Sequence, residues 1–423
     1  MPETANLTDR IEKQLPAELI GFIKQAGRLA ACRGERLYLV GGAVRDLLLG
    51  ETNLDIDLVV AGDALALARK LAGTGKLTIH RRFSTAKLQW RRWSVDLTTA
   101  RSETYAHPGA LPSVKPGSLS DDLRRRDFTI NAMAVTLSPE GYGQLIDLYG
   151  GQNDIRDKLV RILHDKSFTD DATRIWRGLR YEQRLGFQLE ADTIRLLKRG
   201  IPLLDTISGD RIRYELECIL KERYPEKALK RAEELGVLAK LSPSLKGNSL
   251  LAERFSKARR LSSPNQPALG LYLALLAYPL KDKEVEQLIL YLRLPKPLAR
   301  TLRDSGSIRA RLKELADPEL SPSGTYHLLH GYSPQAITAN LLASDLPQTR
   351  RHIQKYLDKL RYLKPALGGD DLIRMGIAQG PRIKEILNLL RDARLDGRVT
   401  SKQDEERLVK GWLKGLRPFS TPY

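Results

Sequence analysis

Apolar residues recur at helical spacing from the start of the chain. Ile11, Leu15, Leu19, Ile20 and Ile23 share one face, so the first ~25 residues predict an amphipathic helix (1–27). Beyond residue 35 the period changes. "LYLV" (37–40) is a short buried strand, Gly41–Gly42 a turn, "AVRDLLLG" (43–50) a short helix stopped by Gly50, and "LDIDLVV" (54–60) alternates as a strand does. The helix "DALALARKLAG" (63–73) comes next, followed by strands within "KLTIHRRFSTAKLQW" (76–90) and "WSVDLTTA" (93–100). These elements predict an α+β head, a mixed sheet with helices, over residues 28–150. After "LIDLYGGQNDIRDKLVRIL" (145–163) nearly every segment has helical periodicity, broken at Pro and Gly and without a fixed repeat. An all-α region is therefore expected in two parts: a helical segment over 151–225 and a body and tail over 226–423.

Length and composition narrow the class. A chain of 423 residues exceeds one small core, and 42% apolar residues suffice for globular packing. The charge changes the picture most: 70 Lys and Arg face 51 Asp and Glu, giving +19. Such a balance favours a polyanionic partner such as nucleic acid. The last 73 residues keep the bias, with 16 basic against 9 acidic side chains. Cys32 and Cys218 stand far apart, so neither a CxxC pair nor a disulfide framework is expected, in keeping with a reducing cytoplasm. The N-terminus carries charges throughout and lacks a signal-peptide apolar core. No apolar run is long enough to span a bilayer, so no membrane partner is expected.

Asp55 and Asp57 lie at i and i+2. On a strand this spacing puts both carboxylates on one face, about 6.6 Å apart at Cα. Mg²⁺ takes a few hard carboxylate oxygens together with substrate phosphates, and Asp96 in "WSVDLTT" is the candidate third acid for a two-metal site. Gly41–Gly42 lets the backbone approach a phosphate, and the helix N-terminus behind it adds partial positive charge. Gly42 and Arg45, the latter one helical turn in, are expected to reach the same anion. Taken singly, GG and DxD occur often in turns and on exposed strands; it is their ordered combination that points to phosphate and metal meeting.

"LVGGAVRDLLLG…LDIDLVV" resembles the signature of the class II tRNA nucleotidyltransferase and bacterial poly(A) polymerase family, within the DNA polymerase β nucleotidyltransferase superfamily. Further segments resemble the family's later motifs in order: "DLRRRDFTINAMA" (122–134), "LIDLYGGQNDI" (145–155), "DDATRIWRGLRYEQRLGF" (170–187) and "SGDRIRYEL" (208–216). The tail segment "DARLDGRVTSKQDEERLVKGWL" (392–413) looks like that of the CCA-adding enzymes. The resemblance implies nucleotidyl transfer from CTP and ATP to the 3′ end of tRNA with Mg²⁺, and pyrophosphate as product. It implies that Arg125 or Arg126 holds the triphosphate and that Asp127 and Asn131 face the sugar hydroxyls. Asp171 and Arg174, at i and i+3, would hydrogen-bond the base edge in place of a nucleic-acid template, with Arg177 and Arg180 continuing that helical face. Segment 151–225 would then be the base-recognition part, and 226–423 would bind the tRNA acceptor arm. The chain departs from the usual pattern at Asp170, Ala172 and Asp210; Arg211 and Glu215 are read as scaffolding.

Three alternatives stay open: an enzyme adding only CC or only the terminal A, a poly(A) polymerase, and an RNA-binding protein without catalysis. Partial enzymes differ chiefly in the segment that is "ARSETYAHPGALPSVKPGSLSDD" (100–122) in this sequence, rich in Pro and Gly. His327 and His330 in "YHLLH" have no acidic partners at metal spacing in the sequence, and His164–Asp165 lacks the further ligands of an HD phosphohydrolase. Oligomeric state is not legible.

Overall fold

In the computed structural model, which describes residues 5–73 and 75–413, the N-terminal face is carried by two helices, α1 (Thr8–Gln14) and α2 (Ala17–Ala31), rather than the single one predicted. Pro16 is the reason. It lacks an N–H, and it disfavours the helical conformation in Leu15, which is extended (φ −100°, ψ 147°). The apolar spacing still does its work: Leu19, Phe22, Ile23, Ala26 and Ala30 of α2 are all buried.

In chain order come β1 (Arg36–Val40), α3 (Gly42–Leu49), β2 (Ile56–Ala61), α4 (Ala64–Ala72), β3 (Lys76–His80), β4 (Thr85–Trp90) and β5 (Trp93–Thr99). The Pro/Gly-rich segment after β5 is a hairpin of β6 (Arg101–Thr104) and β7 (Ser113–Pro116), followed by α5 (Leu119–Arg124). With β8 (Met133–Thr136) and β9 (Leu145–Asp147) the main sheet has seven strands in the order β3-β4-β5-β2-β1-β8-β9. All neighbours are antiparallel except β2 and β5, which run parallel with Asp57 opposite Asp96.

Strand alternation sorts this sheet into two faces. Leu37 and Leu39 of β1, Ile56, Leu58 and Val60 of β2, and Val95 and Leu97 of β5 join the large core under α2 and α4. The intervening Tyr38, Val40 and Val59 belong to a smaller cluster on the opposite face. At about 1.5–3 kcal/mol per fully buried aliphatic side chain, exchanging the two faces would cost far more than a domain's net stability. Asp57 and Asp96 are therefore bound to the thinly covered face. Gly27 of α2 is where the helix nearly touches the chain leaving β8, since a Cβ there would lie 2.0 Å from the Leu137 carbonyl oxygen.

The first of two compact units runs from residue 1 to 243. It includes α6 (Gly151–Arg156), the short parallel pair β10 (Leu159–Val160) and β11 (Gln188–Leu189), and α7 (Ser167–Asp170), α8 (Thr173–Leu185), α9 (Ala191–Gly200), α10 (Gly209–Leu220) and α11 (Pro225–Glu234). Arg231 of α11 is tied to buried Glu182 of α8 at 2.9 Å, which holds α11 in this unit. The second unit, 244–423, is helical wherever it has regular structure among the described residues. Its helix Leu269–Ala277 is buried on nearly all sides. Among the described residues no helix is long and apolar enough to cross a membrane. His327 there donates from Nε2 to Asp392 Oδ1 at 2.8 Å, and His330 stacks on Tyr326.

Candidate active site

The turn between β1 and α3 is built on Gly41, whose φ of 75° suits glycine. A Cβ at Gly41 would stand 2.8 Å from Arg126 Nη1 and 3.7 Å from Asp57 Oδ2, so the turn, an arginine and a carboxylate meet at one point. They open into a cleft of about 750 Å³ within the first unit. Gly42, Arg45, Asp55, Asp57, Arg125, Arg126, Asp127, Asn131, Asp171, Arg174, Arg177 and Arg180 all line it; Asp96 does not.

The carboxylates are arranged differently from the expectation. Asp55 precedes β2 and is exposed, with its backbone N–H donated to Asn53 Oδ1 at 2.8 Å, so it does not share the strand with Asp57. Asp96 is opposite Asp57 on β5 and receives Lys87 Nζ at 3.4 Å. Burial pushes the Asp57 carboxyl up to about 6; Arg126 opposes the shift, and Asp55 and Asp96 reinforce it. Among the described residues no three ligating side chains converge into a ready-made metal site. The donor set nevertheless suits a hard dication, because a buried carboxylate crowded by two others is relieved by positive charge.

The arginines divide by partner. Arg125 donates to Asp122 Oδ1 and to Glu103. Arg126 shares Asp122 from the other side at 3.0 Å and keeps its Nε buried without a hydrogen-bond partner. Arg45 is 2% exposed, and its guanidinium is taken up by Asp46 and by Asn131 Oδ1 at 2.6 Å. That geometry makes Arg45 a brace of the turn rather than a free anion ligand. Asn131 passes its own amide hydrogen to Asp127 Oδ1, and Arg177 grips Asp127 Oδ2 through Nε at 2.8 Å and Nη2 at 2.6 Å. The Phe128 N–H also donates to Oδ1. Three hydrogen bonds and the ion pair with Arg177 thus fix the orientation of the Asp127 carboxylate. An unbroken series of hydrogen bonds runs from Arg177 through Asp127, Asn131, Arg45 and Asp46 to Asn53, beside Asp55.

Asp171 and Arg174 are not on one helical face. Asp171 is extended (φ −147°, ψ 100°) ahead of α8, where its Oδ1 accepts from the Thr173 backbone and hydroxyl. Its Oδ2 receives Arg211 Nη2 of α10 at 2.7 Å. Arg174, buried, donates to Ser167 and, at 2.7 Å, to the Arg125 carbonyl. Arg177 and Arg180 do follow Arg174 along α8. Both approach Glu215 of α10, at 3.5 and 4.0 Å, and burial raises the Glu215 carboxyl despite them. Arg180 Nε and Glu215 Oε2 are buried in the cleft without hydrogen-bond partners. Sequence reading missed Tyr181, over whose ring Arg45, Arg177 and Arg180 sit at 4.8–5.6 Å, and missed Asn53, Glu103 and Tyr105. The i, i+4 spacing from Arg177 was the available signal for Tyr181.

An A-adding tRNA nucleotidyltransferase of Halalkalibacterium halodurans is 32% identical over 98% of this chain and 97% of its own length. The chain belongs to the tRNA nucleotidyltransferase family. Residues 37–161 of this family member match the poly A polymerase head domain, and 186–248 match the probable RNA and SrmB-binding site of polymerase A. A Geobacter sulfurreducens A-adding tRNA nucleotidyltransferase is 33% identical over 94% of the chain, which spans only 48% of that longer protein. The solved apo form II of a CCA-adding enzyme superposes with a TM-score of 0.82 at 32% identity, covering 97% of this nucleotidyltransferase and 100% of that chain.

Proposed function

We propose that this enzyme transfers CMP and AMP from CTP and ATP to the 3′ end of tRNA, completing its CCA end without a nucleic-acid template and releasing pyrophosphate. The observation that carries the reading is one cleft in which a glycine turn, a carboxylate pair and a row of arginines converge. Arg126, over the Gly41 turn and beside Asp57, holds the triphosphate with the N-terminus of α3, and Arg45 ties that helix to Asn131. Asp55 and Asp57 would hold Mg²⁺, with Asp96 as the third acid. Bound there, the ion would polarise the phosphates and favour the ionised 3′-hydroxyl for in-line attack on the α-phosphate.

Selection of the base rests on pre-organisation. Three hydrogen bonds hold Asp171, and backbone and hydroxyl acceptors hold Arg174, so each has its remaining acceptor or donors fixed for a base edge. Asp127 orients Arg177 and, with Asn131, would face the sugar hydroxyls. The basic composition suits the tRNA backbone, and two distant cysteines suit a cytoplasmic setting.

A second reading, addition of the terminal A alone, is favoured by the near full-length match to an A-adding relative. One experiment tests both. The protein is incubated with tRNA lacking CCA, ending in C, and ending in CC, with CTP and ATP singly and together, and the products are sized. Growth by three nucleotides on the first substrate supports CCA addition. Growth by one, with ATP and only on the CC end, supports the second reading, and no growth on any substrate overturns both.

A further inference from the structure

The two leading carboxylates of the cleft are held by different means. Asp57 lies on β2 and is fixed by strand pairing, whereas Asp55 belongs to the irregular stretch 51–55 that joins α3 to β2. Glu51, Thr52, Leu54 and Asp55 are exposed, and Asn53 alone of the five is partly buried. The Glu51 N–H closes on the Asp46 carbonyl, which ties only the start of the stretch to α3. Among the described residues, Asn53 makes the only side-chain hydrogen bonds of the stretch.

Those two bonds link the metal-side acid to the interior. Asn53 Nδ2 donates to Asp46 Oδ2 at 2.7 Å, and Asn53 Oδ1 accepts the Asp55 backbone N–H at 2.8 Å. The partners dictate this orientation of the amide, since a carboxylate only accepts and a backbone N–H only donates. Asp46 is buried and anchored on buried Arg45 at 2.8 Å. Asn53 therefore connects the backbone of an exposed acid to a buried ion pair. The same side chain stands over the glycine turn, because a Cβ on Gly42 would lie 3.7 Å from Asn53 Nδ2.

We propose that Asn53 is a positioning residue for the metal: it fixes Asp55 relative to Asp57 and the glycine turn, so that both carboxylates can serve one cation. The assignment rests on the nucleotidyl-transfer reading above, in which Asp55 and Asp57 hold Mg²⁺. Mg²⁺ demands near-ideal placement of its oxygen ligands, so a displaced carboxylate weakens its binding. Without the Asn53 tether the cation itself would have to order an exposed stretch of backbone, and its affinity would fall accordingly.

The test titrates Mn²⁺ into the full-length protein, followed by electron paramagnetic resonance, and Mg²⁺ into the tRNA-extension assay. It compares wild type, Asn53→Ala, Asn53→Ser, Asp55→Ala and Asn53→Ala/Asp55→Ala, with folding checked by Tm. Asn53→Ala should raise the Mn²⁺ Kd and the half-saturating Mg²⁺ concentration about tenfold, the lower end for groups that orient metal ligands. Asn53→Ser should lose less, because a hydroxyl still accepts the N–H two residues on. In the Asp55→Ala background, Asn53→Ala should change the Mn²⁺ Kd no further, as expected of a residue that acts through Asp55. KM for CTP and ATP at saturating Mg²⁺ should stay at wild-type values. An unchanged Mn²⁺ Kd in Asn53→Ala, or an equal loss with and without Asp55, would overturn the assignment. So would a raised nucleotide KM at saturating Mg²⁺, which would make Asn53 a phosphate ligand. A wild type that extends tRNA without any divalent cation would instead remove the metal reading on which the assignment rests.

Discussion

Replacing Asp127 by Asn keeps the side chain's shape and removes its charge from the centre of the hydrogen-bond series. Burial by itself pushes the Asp127 carboxyl up, but Arg177 beside it and the bonds from Asn131 and Arg177 outweigh that and bring it down to about 2. Against an ordinary value of 3.8 this is nearly two units, or about 2 kcal/mol of folding stability at neutral pH. Removing one member of a buried pair also strands the other, which raises typical costs to about 3–5 kcal/mol. Glu215 remains 3.5 Å from Arg177, so the lower end, about 3 kcal/mol, is expected. For a unit of this size that corresponds to a Tm drop of about 6–12 °C. The sign with pH follows from a folded pKa below the unfolded one. The wild-type advantage is full above about pH 4 and is lost as pH falls through about 2, roughly half of it gone by pH 3. Thermal unfolding of both proteins at pH 7, 5 and 3 measures this. A deficit under about 2 °C at pH 7, or one as large at pH 3 as at pH 7, would refute the assignment of Asp127 as a charged hub.

Asp57→Asn should abolish nucleotide incorporation while leaving Tm unchanged or higher, since a buried charge crowded by Asp55 and Asp96 is removed; measurable extension by a clean preparation would remove Asp57 from the chemistry. Gly41→Ala should raise KM for CTP and ATP at least tenfold, because φ 75°, ψ −137° is a backbone conformation only glycine adopts readily and an added Cβ displaces Arg126. Wild-type KM values in that variant would show that the turn does not shape the triphosphate site. Arg126→Ala should lower kcat/KM for all four nucleotides by one common factor, whereas Arg174→Ala should penalise CTP and ATP and let UTP or GTP compete. The same uniform loss in both variants would make Arg174 a scaffold residue only.

Local pattern settled a great deal of this protein. The period-2 alternation of "LDIDLVV" and "WSVDLTT" commits their aliphatic residues to the core, which by itself puts Asp57 and Asp96 on the opposite face. Gly41–Gly42 ahead of a helix predicted the turn between β1 and α3, and the ordered motifs between residues 35 and 225 identified the family. Periodicity specifies which way a side chain leaves its own element, however, and not what it meets. Arg125 and Arg126 are neighbours in sequence, yet one reaches Glu103 of β6 and the other the Gly41 turn. Asp171 and Arg174 looked like one helical pair until Asp171 proved to be extended and bound to Arg211, forty residues on. Arg45 was expected at the anion from its place one helical turn past the glycines, and Asp127 at the sugar from the family resemblance; the sequence shows neither residue's protein partners. Both are buried in each other's network through Asn131, where desolvation makes a charge stay only if its partners are complete. Those partners come from α3, α8 and the segment between α5 and β8, elements that only the folded chain brings within 3 Å of one another.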